Sequence, residues 1–166
     1  MTGARYAIGA LAFAGFAASA GVHVASLAGL DVQAQWPAVW SLHLGFFVVF
    51  LPFVISSRKR LGARPGLAAL RENFPAWLIA AAGALTIYAI VNFVLFAVHG
   101  LGGTPAIVDG KYVLQNHGHL VREIGRAEFL QAKVMELRGF SGHWMIFYFI
   151  PFAYFMFSRR PTPYFE

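Results

Sequence analysis

Residues Pro75 to His99 read PAWLIAAAGALTIYAIVNFVLFAVH, a run without one Asp, Glu, Lys or Arg. At about 1.5 Å of helical rise per residue it outreaches the roughly 30 Å hydrocarbon core of a bilayer, so as a helix it is long enough to cross one. Three other stretches are equally free of charge and fall within the roughly 17 to 25 residues a membrane span needs: roughly Tyr6 to Leu30, Trp36 to Ser57 and Phe140 to Phe157. The sequence therefore predicts an all-α membrane protein, one integral domain over residues 1–166 built as a four-transmembrane-helix bundle. Composition agrees: the 166-residue chain is 58% hydrophobic and 12% charged, and a soluble domain of this length has too little interior to hide so much apolar surface. Cys is absent, which excludes thiolate metal sites, Cys-based redox motifs, covalently attached c-type haem and disulfides. A cofactor would have to be held by His, carboxylate, amide or Met.

The formal net charge of +6 would suit a nucleic-acid partner, but its distribution assigns it to topology. Arg5, the cluster Arg58, Lys59, Arg60, Arg64 and Arg71, and the tail residues Arg159 and Arg160 fall on one side of the four spans, against Glu72 and Glu166. On the other side Lys111, Arg122, Arg126, Lys133 and Arg138 are balanced by Asp31, Asp109, Glu123, Glu128 and Glu136. Basic residues near span ends are retained in the cytoplasm. The expectation is a multi-pass protein of the inner (plasma) membrane with both termini and the 58–74 loop cytoplasmic, no nucleic-acid partner, and a basic loop facing anionic headgroups. Trp36, Trp40 and Trp144 at one boundary and Trp77 at the other read as interfacial belts. The first span has a competing reading as a signal peptide, because Arg5 precedes an apolar run containing Ala18-Ser19-Ala20. Its continuation to Leu30 favours a retained helix.

Residues 100–139 form an extracytoplasmic cap between the third and fourth spans. Ala106 to Val108 and Lys111 to Leu114 flank Asp109-Gly110, a strong signal for a tight β-hairpin. A reversal at Asn116 to Gly118 leads into a third short strand over His119 to Ile124. From Arg126 to Arg138, the residues Phe129, Leu130, Val134 and Leu137 share one helical stripe, which predicts an amphipathic helix on or near the membrane surface. Gly139, Ser141 and Gly142 then suggest a break, with Ser141 capping the last span. A connection this long is uncommon without a role, such as a lid or a docking surface.

Each span also carries a histidine: His23, His43, His99 and His143. Measured by helical rise from the basic side, His23, His43 and His143 lie about 22 to 26 Å deep, and Asn92 of the third span reaches about 22 Å. The expected layer is His23, His43, Asn92 and His143, with His99 above it. Polar groups in a span face the bundle interior, where they pair or bind something. Three imidazoles suit Zn, Cu or Fe, and facing histidines suit one b-type haem. A second layer at the basic end is missing, which argues against two stacked haems. His117 and His119, read as a His-x-His pair on a strand, would form a second outer metal site with His99. The opposing reading is that these residues are interhelical glue.

The second and fourth spans look alike. SLHLGFFVVFLPF (41–53) and SGHWMIFYFIPF (141–152) share Ser-x-His and a later Pro-Phe, and both are followed by Ser and two basic residues. A duplication would make two parallel helical hairpins. Two functions follow from different classes. One is a small membrane protein whose histidine layer binds a metal or a single haem for redox or small-molecule chemistry. The other is a non-catalytic accessory subunit of a larger membrane complex, making contact through the aromatic fourth span and the cap. No acidic residue lies within a span to couple transport.

Overall fold

The computed structural model describes residues 2–99 and 102–159. In chain order these form α1 (Thr2–Leu27), α2 (Val32–Gln35), a 3-10 turn (Pro37–Trp40), α3 (Ser41–Leu61), α4 (Leu67–Asn73), α5 (Ala76–His99), β1 (Thr104–Val108), β2 (Lys111–Asn116), β3 (His119–Glu123) and α6 (Arg126–Phe157). α1, α5, α6 and the segment Pro37–Leu61 are long and apolar enough to cross a membrane. The protein is thus mostly helical with four candidate membrane spans and a small antiparallel sheet, as the sequence predicts.

Local chemistry sets the ends of the elements. α1 stops when Gly29 takes φ 79°: the Gly29 N–H donates to the Ser26 carbonyl and the Leu30 N–H to the Ala25 carbonyl, a Schellman closure that favours glycine. Asp31 caps α2 by accepting from the Ala34 N–H at 3.1 Å. Gly62 ends α3 and keeps the basic residues Arg58, Lys59 and Arg60 in its last turn, where cations favour the helix dipole. In the cap, Asp109 and Gly110 (φ 49° and 77°) and His117 and Gly118 (φ 50° and 84°) make the two reversals, each with the left-handed pair of a tight hairpin turn. The sheet order is β1-β2-β3, antiparallel throughout.

α6 is the centre of the molecule. α1, α5 and α3 all pack on it, and 56% of its most apolar window is buried, against 17% for α5. Its first turns stand in the cap, where the Phe129 ring meets Tyr112 of β2 at 4.8 Å and Leu137 is fully buried. This corrects the expected surface helix, break and Ser141 cap: α6 runs unbroken through Gly139, Ser141 and Gly142. The small residues are approach points instead. A Cβ on Gly139 would fall inside the Phe96 ring of α5, and one on Gly142 would strike Asn92. In lipid, close approach is the usual work of small residues. α1 and α3 meet α6 in the same manner, since Gly15 and Gly45 leave the room that the Tyr148 side chain fills. Its phenol donates to the Leu42 carbonyl at 3.0 Å. Trp144, expected at an interface, is fully buried in this core.

The end of the bundle opposite the sheet is closed by a polar clasp on the C-terminus of α6. Arg5 donates to the carbonyls of Phe155 and Ser158, and Arg60 donates to the Ser158 hydroxyl at 3.0 Å. The two prolines of the similar spans, Pro52 and Pro151, lie inside continuous helices. Their helices differ in role, because α3 is peripheral and α6 central.

Candidate functional site

Three helices, α1, α5 and α6, present polar side chains to one another. His23 on α1 is 2% exposed. Its Nδ1 meets Ser141 Oγ of α6 at 2.8 Å, and its Nε2 meets the Tyr88 hydroxyl of α5. The Ser141 hydroxyl donates onward to the Arg138 carbonyl, so its oxygen must accept from His23 Nδ1–H. That leaves Nε2 to accept from Tyr88. Asn92, 4% exposed, donates from α5 to the carbonyls of Arg138 and Gly139 at 3.1 and 3.3 Å. His143 Nδ1–H donates to the same Gly139 carbonyl at 3.1 Å.

These bonds form one connected chain: Tyr88, His23, Ser141, the Arg138 carbonyl, Asn92, the Gly139 carbonyl, His143. It joins α1, α5 and α6. Both carbonyls only accept, so the chain passes no proton from end to end. Its chemistry is that of a clasp, in which each polar group buried among apolar helices finds a partner.

His43 stands outside this chain. Its Nδ1 accepts from the Trp144 indole N–H at 2.9 Å, and its ring lies edge-on to Trp40, Phe46, Phe140 and Trp144. With Nδ1 accepting, the neutral ring carries its proton on Nε2, so neither nitrogen offers a lone pair to a metal. Both nitrogens of His23 are engaged as well. His143 differs: Nδ1 donates to a backbone carbonyl, leaving Nε2 with its lone pair, the orientation commonly seen in ligating histidines. The ring packs edge-on against Phe93 at 4.7 Å between centroids.

The structure thus brings His23, Asn92 and His143 into one network and seats His43 in a separate aromatic box. Among the described residues no group of three or more His, Asp or Glu is placed to hold a metal ion. The His99 side chain lies outside the described residues, and with it the proposed outer set of His99, His117 and His119. His117 occupies a left-handed turn position while His119 opens β3, so the two do not share one strand face as the His-x-His reading supposed. Both are exposed. Sequence reasoning missed Tyr88 as a partner of His23 and gave Ser141 and Trp144 other roles. Tyr88 sits four residues before Asn92, one turn along the same face of α5, and that spacing was the available signal.

Fold and site together define a mostly helical protein with four helices long and apolar enough to cross a membrane, a small three-stranded antiparallel sheet and a three-helix polar clasp. The chain matches no known family model, no curated protein and no solved structure.

Proposed function

We propose that the chain is a non-catalytic accessory subunit of a larger membrane complex, held in the inner (plasma) membrane with both termini cytoplasmic and the sheet outside. The observation that carries this reading is the engagement of His23 through both ring nitrogens, which makes the histidine level a helix clasp rather than an open ligand set. The cap supplies the contact surface. Every residue of β3 is exposed, including Leu120 and Val121, and Ile107 on the opposite edge strand is 60% exposed. An unpaired strand edge with apolar side chains is a template for another chain. Native electrophoresis of membranes in mild detergent tests the reading. The wild type is expected to migrate in an assembly well above its own mass, and Leu120→Lys with Val121→Asp should release a correctly inserted monomer. A monomeric wild type would overturn it.

A second reading rests on His143 alone. Its free Nε2 supports the outer half of the bundle as the place for a metal or a single b-type haem, with His143 rather than His43 as the ligand. An absorption spectrum and metal analysis of the purified chain, with and without His143→Ala, test it.

A further inference from the structure

α3 and α5 flank α6 without packing closely on one another, and the gap between them is a cavity of about 540 Å³. That is within the range of small-molecule sites, about 300–1,000 Å³. α6 forms its floor with Ile150 and Tyr154, α3 contributes Phe53, and α5 contributes Ala82 and Gly83. Of the three hydroxyl side chains that line it, two are spent locally, Ser57 donating to the Val54 carbonyl at 3.2 Å and Thr86 to the Ala82 carbonyl at 2.7 Å, while the Tyr154 hydroxyl makes no hydrogen bond among the described residues. The groove therefore offers a polar ligand one phenol along its length and offers a hydrocarbon chain mostly apolar walls.

Its basic end is different. Arg58 lines the cavity there and is exposed. Arg5 and Arg60 are committed to the C-terminus of α6, whereas the Arg58 guanidinium makes no hydrogen bond or ion pair among the described residues. Lys59, Arg64 and Arg71 add positive charge around the same end. We propose that this groove binds one anionic phospholipid, an acyl chain lying on Ile150 and Tyr154 and the phosphate held by Arg58. A guanidinium pairs with phosphate through two parallel hydrogen bonds, and basic pockets between membrane helices take anionic headgroups. Gly62, Ala63 and Pro65 also line the cavity at this end. The α3–α4 connection therefore obstructs a helix of about 10–12 Å diameter running the full length of the groove, whereas a lipid enters from the side.

The test uses the purified full-length chain in neutral detergent and native mass spectrometry with added phosphatidylglycerol or phosphatidylcholine. The wild type is expected to retain phosphatidylglycerol about fivefold better, the factor a basic residue contributes near an anionic surface. Arg58→Gln should abolish that preference, and Lys59→Gln, which does not line the groove, should keep it. A Cβ on Gly83 meets nothing within 4 Å, so Gly83→Leu fills the groove without straining α5 and should lower retention of both lipids. Equal retention of the two lipids by the wild type would overturn the proposal, as would an equal loss of preference in Lys59→Gln. A wild-type dimer, or a stoichiometric protein partner, that Gly83→Leu releases would give the groove another occupant and overturn it as well.

Discussion

The indole N–H of Trp144 donates to Nδ1 of His43 at 2.9 Å, and that one bond decides where the imidazole keeps its proton. A histidine read from its depth in the span is a ligand candidate; a histidine whose Nδ1 already accepts is a hydrogen-bonding partner with its remaining nitrogen protonated. The same accounting applied to His23 and His143 separates a bridging ring from one that still offers a lone pair. Depth and burial alone do not make this distinction.

Trp144→Phe keeps most of the buried ring and removes the donor. The expected cost of losing the bond is about 0.6–1.7 kcal/mol, from the average to the largest value measured for hydrogen bonds between membrane helices, read from unfolding in mixed detergent micelles. An unchanged midpoint would mean the bond contributes nothing. His43→Phe should cost a similar amount, and the double variant less than the sum, because the two residues share one interaction.

The clasp around His23 makes a separate prediction. In a double-mutant cycle, His23→Ala and Ser141→Ala are expected to couple by about 0.6–1.7 kcal/mol. Tyr88→Phe should remove the second partner and reduce stability by a smaller step, because Tyr88 is 40% exposed. Additive effects of His23 and Ser141 would show that they act independently.

The four long apolar helices and the two hairpin turns were legible in the sequence, because hydropathy and turn chemistry are local properties. What escaped was rotation and centrality. Rise places His23, His43 and His143 at one depth but does not say which neighbour each ring meets, so His43 was grouped with residues it does not join. The central place of α6 was hidden because its span is the least uniformly apolar of the four. A helix surrounded by protein has less need to be uniformly apolar than a bare one, and α5, with 17% of its window buried, is among the most apolar of the four. Gly139 and Gly142 misled for a related reason: in water they mark a break, and between membrane helices they mark an approach.

The packing of Tyr148 tests that last point directly. Gly15→Leu would place a side chain where the Tyr148 ring lies, and overpacking of this kind costs about 1–3 kcal/mol. Tyr148→Ala in the same chain should recover part of the loss by vacating the space. If Gly15→Leu is as stable as the wild type, α1 and α6 do not approach as closely as described.

Orientation is the prediction with the simplest readout, because the chain has no Cys and any thiol introduced is the only one. Ala63→Cys lies in the basic 58–74 loop and Asn116→Cys at the second turn of the cap; both positions are exposed and both changes leave the charge balance untouched. The terminal side carries eight basic residues against two acidic ones, while the cap side is balanced at five and five. Retention of Lys and Arg in the cytoplasm therefore places residue 63 inside and residue 116 outside. A membrane-impermeant maleimide applied to intact cells, with the outer membrane permeabilised where there is one, should label Asn116→Cys at once and Ala63→Cys only after lysis. The reverse pattern would invert the topology. It would also move the Arg58 groove away from the leaflet whose anionic lipids it is expected to meet.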